Sequence, residues 1–392
     1  MTADWEYRSA VHSQDAQQLK AIIQQSFGGS LDDCDRYFNR IGMENFRLLH
    51  QGEQAIAVSA IYHMGQWYEG QIVPMAGIAA VGVAPEHRGQ RVAYELLRRT
   101  IEELYRLQVP ISVLYPATQI LYRKVGYEQA GSYCKWELPT TNMGRHESHL
   151  TMRSASLSDR SIFKAIYNRQ AQVNNGNLAR HPAIWEQIIE SAKEQPIYAY
   201  LIGSESEPEG YIIFTQRREK KEFLLDIHDW AILTASAAKR LWTFIASHRS
   251  QIHKVCWHGA FFNPFMLFLP EQTAKIAGQM IWMLRIIDVS AALSKRGYPT
   301  GLEAELHLDI QDELLTANNG KFCLKVSGGR GEITPGGKGT LQLNIRSLAS
   351  LYSGFLSPQQ LQLSGYLNAS TEDLEMARLI FSGDRPWMAD FF

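Results

Sequence analysis

The residues best suited to chemistry lie in one run, Ala79-Ala80-Val81-Gly82-Val83-Ala84-Pro85-Glu86-His87-Arg88-Gly89-Gln90-Arg91-Val92-Ala93. Small and β-branched residues read as a strand that ends at Pro85, followed by a tight basic turn and a helix. The helix shows an apolar stripe of Ala93, Leu96, Leu97, Ile101 and Leu104, with Glu95/Arg99 and Glu102/Arg106 spaced i,i+4 on the other face. A strand that feeds a glycine-containing turn at a helix N-terminus forms an anion site. The first helical amides have no intrahelical partner there, and the helix dipole favours negative charge. Arg88 and Arg91 add full charges, and a pyrophosphate suits the arrangement. An Arg-Gly dipeptide alone reads as a solvated turn, but V-x-V-x-P-E-x-R-G-x-x-x-A between a strand and a helix favours binding.

A second feature follows. Ile111-Ser112-Val113-Leu114-Tyr115 reads as a strand and Pro116–Leu121 opens a helix that leads to Tyr122-Arg123-Lys124-Val125-Gly126-Tyr127-Glu128. Read from the residues alone, Tyr122 is an aromatic packed at the C-terminal end of a sheet.

Three blocks carry these residues. The first runs to about Pro139, and the polar stretch Thr140–His149 after it reads as a linker. The second starts at Leu150 and runs to about Asp288. The first two look duplicated: Arg8-Ser9-Ala10 precedes a helix at Ala16–Phe27, and Arg153-Ser154-Ala155 precedes one at Asp159–Gln172. Strands at Ala55–Tyr62 and Gly210–Phe214, then helices at Val92–Leu107 and Ala237–His248, repeat the order. In the third block Leu302, Ala304, Leu306, Leu308 and Ile310 alternate with polar residues, as do Phe322, Leu324 and Val326, then Leu341, Leu343 and Ile345. Glycine turns separate these strands, and a helix at Ser370–Phe381 carries Ser370 as its N-cap, which makes an α+β block.

The strand–turn–helix run resembles the acetyl-CoA-binding motif of the GNAT N-acetyltransferase superfamily. The resemblance implies that Val81-Gly82-Val83 pairs with the pantetheine arm, and that Arg88, Gly89, Gln90, Arg91, Val92 and Ala93 bind the pyrophosphate. Arg91 departs from the family pattern R/Q-x-x-G-x-G/A, which places glycine there; its side chain either crowds the phosphates or binds them. The Tyr122…Gly126-Tyr127 run resembles the family's Y-x-x-x-G-[YF] close. That implies Tyr122 is the general acid for the departing thiolate, whose thiol pKa is about 8.5.

Two such units and a closing block similar to sterol carrier proteins resemble the Enhanced intracellular survival (Eis) family over nearly the whole chain. The implied fold class is α/β and α+β. A catalytic GNAT domain spans 1–139, a degenerate GNAT-like domain 150–288, and a sterol-carrier-like α+β domain 289–392. Leu233-Thr234-Ala235-Ser236-Ala237-Ala238 stands where the second unit needs its phosphate turn and lacks the Arg-Gly, so that unit is expected to be inactive. The closing pattern Tyr352-Ser353-Gly354-Phe355, Pro386-Trp387 and Phe391-Phe392 matches the family, and implies that the α-carboxylate of Phe392 is the general base. The resemblance also implies a homohexamer and an acidic pocket for amines of polyamines such as aminoglycosides. Asp32, Asp33 and Asp35 follow the first helix, where the family's acceptor loops lie, and either meet cationic amines or form a plain solvated acidic turn. The alternatives are a non-catalytic acetyl-CoA-binding protein and a carrier of a hydrophobic ligand.

Bulk properties narrow the class. A net charge of −1 gives no general pull toward nucleic acid or an anionic membrane. The start Met1-Thr2-Ala3-Asp4-Trp5-Glu6-Tyr7 lacks a basic and apolar leader, and the apolar run Phe261–Leu269 is too short to span a bilayer. Cys34, Cys134, Cys256 and Cys323 are scattered, as expected of buried thiols in the cytoplasm. His253-x-x-Cys256-x-His258 lacks a fourth ligand, and no metal is expected.

Overall fold

The computed structural model describes residues 5–11, 13–28, 30–156, 159–190, 195–219 and 222–392. The leader reading rests on Met1-Thr2-Ala3-Asp4, which lie outside the described residues. The first stretch of chain forms β1 (Trp5–Ser9), α1 (Ser13–Phe27), α2 (Leu31–Ile41), β2 (Phe46–Gln51), β3 (Gln54–Tyr68), β4 (Gln71–Val83), α3 (Val92–Arg106), β5 (Ile111–Leu114), α4 (Gln119–Lys124) and β6 (Glu128–Pro139). Then come β7 (Met152–Ala155), α5 (Arg160–Gln172), β8 (Leu178–Ala179), α6 (Pro182–Glu190), β9 (Ile197–Gly203), β10 (Pro208–Glu219), β11 (Glu222–Ile232), α7 (Ala235–Ser247), β12 (Lys254–Gly259) and β13 (Lys275–Ile286). The last stretch forms α8 (Val289–Lys295), β14 (Ala304–Gln311), β15 (Gly320–Ser327), β16 (Arg330–Pro335), β17 (Leu341–Asn344), α9 (Ile345–Ser353), α10 (Pro358–Leu363), β18 (Leu367–Asn368) and α11 (Thr371–Ile380). Among the described residues no helix is long and apolar enough to cross a membrane.

The chain divides into two compact units: one holds residues up to Ala130, Ile281–Arg385 and Phe391–Phe392, the other Gly131–Met280 and Pro386–Asp390. In the first unit β1, β2, β3 and β4 pair antiparallel in sequence, β5 joins β4 in parallel, and Met283–Ile286 of β13 pairs antiparallel with β5. Helix α3 packs on this sheet through Val92, Leu96, Leu97, Ile101 and Leu104, all buried, each contributing on the order of 1.5–3 kcal/mol. Val92 takes the place the stripe gave to Ala93: it is buried, four residues before Leu96, while Ala93 is only half-buried. Arg98 rather than Arg106 pairs with Glu102, while Glu95 holds both Arg98 and Arg99. The same unit contains a five-stranded sheet in the order β16-β15-β14-β17-β18, whose inward residues Leu306, Leu308, Ile310, Leu324 and Val326 are buried. The alternation holds except at Leu302, which lies ahead of β14, and at Ile345, where Asn344 caps α9 and turns the strand into a helix.

In the second unit the sheet runs from the end of β6 through β12, β11, β10 and β9 to β7. Its β11 and β12 pair in parallel across α7, as β4 and β5 do across α3. The duplication extends to the strand arginines: Arg8 grips Asp15 at 2.8 Å and Arg153 reaches Asp159 at 3.4 Å. Each acid also takes an N–H of the chain entering its helix, Val11 or Ser156. The expected linker is instead packed: Thr140 and Met143 are buried, and the His146 amide donates to Thr243. Its polar residues find partners along α7, so composition alone misread it.

A buried charge cluster closes this unit. Arg180 bonds Asp229 at 2.7 and 2.8 Å and Asp390 at 2.9 Å, its guanidinium lying 3.5 Å from the centre of the Tyr167 ring. Burial raises the Asp390 carboxyl pKa, and Tyr167 and Tyr211 donate to the two acids. Replacing Arg180 with Met leaves two buried carboxylates without their cation, and is expected to cost about 3–5 kcal/mol in a denaturant titration. Adding Asp390→Asn should recover part of that loss.

Candidate active site

Strand β4 has a bulge. Val58 faces Gly82 and Ala60 faces Ala79, so Ser59 alone opposes Ala80 and Val81. Ala80 sits at φ 49°, a left-handed conformation that a side chain disfavours by about 1–2 kcal/mol. The extra residue shifts the alternation of the strand. Ile78 points into the α3 face, and so do Val81 and Val83 beyond the bulge, while Gly82 lies under Ile22 and Ser26 of α1. A Cβ on Gly82 would sit 3.0 Å from Ser26 Oγ, which explains the glycine.

The β4–β5 ladder has three pairs and ends at Gly77↔Val113. From Ile78 to Val83 the β5-facing edge of β4 has no ladder partner among the described residues, while its other edge stays paired to β3. This leaves strand-edge N–H and C=O groups available to an extended ligand with amides of its own.

The edge leads to the α3 turn. Pro85–His87 forms a 3-10 turn, Arg88 Nε donates to Val83 O, and Gln90 Nε2 to Glu86 O. The first i→i−4 bond of α3 runs from Glu95 N to Arg91 O, and no side chain caps the helix. The amides of Val92, Ala93 and Tyr94 lie ahead of that bond. Arg88, Gly89, Gln90 and Arg91 are exposed, and neither arginine has a carboxylate partner among the described residues. The second unit differs at the matching place. Thr234 caps α7 by accepting from Ala237 N, and its hydroxyl bonds Glu209. That helix end already has its acceptor and a neighbouring carboxylate, as expected for a unit without the turn.

Arg91 is at φ 65°, ψ 12°. The position favours glycine because the backbone there is left-handed. Arg91→Gly should therefore stabilise the fold by about 1 kcal/mol while raising KM for acetyl-CoA by about two- to fivefold. Melting and initial-rate measurements on one preparation check both signs, and a fall in KM would mean that the side chain crowds the phosphates.

Tyr122 lies in the six-residue α4, buried and packed edge-on against Tyr127 with ring centres 6.1 Å apart. It shares a cluster with Ile78, Leu114 and Leu97. Burial pushes its phenol up to about 12. Phe392 seats its ring on Gly77, where a Cβ would come within 2.6 Å of it, beside Tyr62 at 5.7 Å and Tyr115 at 5.9 Å. Phe391 lies 4.8 Å from Tyr115. Gly77 and Ile78 are consecutive on β4 and face opposite ways. Tyr122 and Phe392 thus approach from the two faces of the sheet, at the level where β4 and β5 part.

The three acceptor aspartates are not on a loop. Asp32, Asp33 and Asp35 belong to α2, where Asp33 completes a capping box with Ser30 and pairs with Arg36, and Asp35 pairs with Lys20. Two of the three already have partners, and the rings of Tyr62, Tyr115, Phe391 and Phe392 gather instead beside the open edge. The sequence reading missed the Ala80 bulge, which leaves no signal beyond two adjacent alanines. It also missed Arg285, a lone cation in the apolar run Ile281–Ile287. His253 and His258 are engaged with the Phe223 amide and the Tyr133 ring. Glu305, His307 and Cys323 bring ligand atoms within 4.8 Å of one another. However, Lys338 N donates to His307 Nδ1, which leaves the ring proton on Nε2, the atom facing Glu305 that a metal would need.

Residues 6–130 and 176–286 each match an Acetyltransferase (GNAT) domain family, and residues 289–389 match the Sterol carrier protein domain family. The chain is 26% identical over 369 residues to N-acetyltransferase Eis of Mycobacterium tuberculosis, covering 87% of this chain and 86% of that protein. The crystal structure of a GCN5-related N-acetyltransferase from Anabaena variabilis is 49% identical, with a TM-score of 0.97 over 99% of this chain and 100% of that one. Eis1 from Mycobacterium abscessus, 19% identical, shares the fold at a TM-score of 0.83 over 99% of this chain and 100% of its own. The chain belongs to the GCN5-related N-acetyltransferases, acetyl-CoA-dependent enzymes, in the Eis-like form that joins two GNAT domains to a sterol-carrier domain.

Proposed function

We propose that this enzyme acetylates primary amines of a polyamine such as an aminoglycoside by direct transfer, with Tyr122 as general acid and the C-terminal carboxylate of Phe392 as general base. The observation that carries this reading is the approach of Tyr122 and Phe392 from opposite faces to the end of the β4–β5 ladder. Direct attack on a thioester carbonyl needs a base within reach of the amine and a proton donor within reach of the leaving sulfur, and groups on opposite faces of one strand edge can serve those two atoms. The open edge Ile78–Val83 would hold the pantetheine amides of acetyl-CoA, with Val81, Gly82 and Val83 nearest the turn. The free amides of α3 with Arg88, Gly89, Gln90, Arg91, Val92 and Ala93 would hold the pyrophosphate.

A terminal carboxylate has a pKa of about 3.5, far below the 10.4 of an alkylamine. It can act on an amine already acidified by neighbouring positive charges, or through a water, and a multi-amine acceptor meets the first condition. Asp32, exposed on α2 and without a salt-bridge partner among the described residues, is the remaining acidic candidate for holding a second amine. In this proposal transfer takes place in 1–139, 150–288 is inactive, and 289–392 supplies the terminal residue. A hydrophobic carrier fits less well, because Leu306, Leu308, Ile310 and Leu324 are packed in the core of the third block. Cytoplasmic residence accords with four free buried thiols, and a hexamer is the assembly that family likeness suggests. Mass spectrometry of an aminoglycoside incubated with enzyme and acetyl-CoA should show one or more added acetyl groups. An unmodified acceptor across a panel of aminoglycosides and linear polyamines would refute the substrate class.

A further inference from the structure

We infer that Arg285, locked by Asp312, is the positioning residue for Tyr122. The inference rests on the reading of Tyr122 as the acid. A helix as short as α4 does not hold itself in water, so something outside it must fix Tyr122. Its C-terminal turn does so first: Val125 N and Tyr127 N both donate to Tyr122 O, at 3.1 and 3.0 Å. That turn in turn lies on Arg285. Gly126 is at φ 90°, and a Cβ there would stand 2.6 Å from Arg285 Nη1, 2.7 Å from Cζ and 2.9 Å from Nε. The flat guanidinium therefore touches the backbone of the turn directly, and moving it moves Tyr122.

Arg285 has one place to be. It faces Ser112 across the β13–β5 ladder and is fully buried. Its Nη2 donates to both oxygens of Asp312, at 2.8 and 2.7 Å. The Asp312 carboxylate also receives the amides of Leu314 and Leu315 and the side-chain N–H of Asn318, so it is itself immobile. Beside the turn, Tyr127 Oη lies 2.7 Å from Ser112 Oγ, which donates to Ala76 O on β4. The ring on which Tyr122 packs is thereby tied to the strand that carries the open edge.

Stability does not account for this arrangement. A buried ion pair seldom outperforms apolar side chains of similar volume, and here Nε and Nη1 lack an acceptor among the described residues. A rigid planar surface under Gly126 is what the pair provides and apolar substitutes would not.

The test compares the paired replacement Arg285→Met with Asp312→Asn, the variant Tyr122→Phe, and the combination of all three. Removing both charges together leaves no buried charge unpaired, and the side-chain amide oxygen at 312 still accepts from the Leu314 and Leu315 amides, so the paired variant should melt close to the wild-type temperature. Its kcat should fall roughly 10- to 100-fold with little change in KM for acetyl-CoA, and in the Tyr122→Phe background it should lower kcat by less than about twofold. Arg285→Lys, which keeps a cation beside Asp312 but removes the flat surface under Gly126, should reproduce the selective loss of kcat if the paired variant fails to fold. Wild-type kcat in the folded paired variant, or in Arg285→Lys if the paired variant does not fold, would overturn the inference. So would a loss that multiplies in full on Tyr122→Phe. Wild-type kcat in Tyr122→Phe itself would instead overturn the acid reading, and the inference with it.

Discussion

Tyr122→Phe is expected to lower kcat by about 10²- to 10³-fold while KM for acetyl-CoA stays within about twofold. The hydroxyl is lost and the packing against Tyr127, Leu97 and Leu114 is kept, so the fold should melt as before. The phenol is pushed up to about 12 by burial, which keeps it protonated throughout the range in which the enzyme would be assayed. A proton donor with that value looks too weak for a thiol of pKa about 8.5 in water. The sulfur leaves within the same apolar surroundings, however, and burial raises a thiol as it raises a phenol, which narrows the gap. The pH profile of kcat follows. Because its value is raised, Tyr122 should contribute no alkaline limb below about pH 11. A limb near pH 10 that disappears in Tyr122→Phe would show an exposed phenol and a different site. Initial rates across pH for both proteins, with melting as the control, make the comparison.

The second large effect concerns Phe392. Removing it should cost about 10²-fold in kcat/KM with a multi-amine acceptor, and should leave acetyl-CoA binding nearly unchanged. The deletion changes two things together: it moves the terminal carboxylate back one residue to Phe391, and it removes the ring seated on Gly77 beside Tyr62 and Tyr115. A chain ligated to end in a Phe392 carboxamide separates them, since it keeps the ring and abolishes the base. With the carboxylate as base, the carboxamide chain loses as much as the deletion. Phe392→Ala, which keeps a terminal carboxylate on a less firmly seated residue, should lose less. Equal activity in the carboxamide and native chains would leave only the ring in a structural role.

The parts legible in the sequence were local ones. The α3 turn was readable because its strand, Arg88-Gly89 and the apolar stripe of the helix lie within one short run. The strands of the third block were readable because each alternates by itself, and Ile345 was misread only because Asn344 is a good cap. The Ser30-x-x-Asp33 capping box was equally local, and it should have placed the aspartates on a helix rather than a loop. What could not be read were partnerships across long separations. Arg180 with Asp229 and Asp390, and Arg285 with Asp312, are buried charges whose partners only the fold supplies. The Ala80 bulge was hidden for another reason. It changes which way Val81 and Val83 face without any unusual residue, so the strand pattern reads straight through it.

Continuous detection of free coenzyme A thiol, with acetyl-CoA alone and then with a multi-amine aminoglycoside, tests acetyl transfer at this site most directly. The proposed mechanism predicts negligible release without acceptor, sustained release with it, and near-complete loss in Tyr122→Phe. Release at the same rate without acceptor, or undiminished release in Tyr122→Phe, would contradict it.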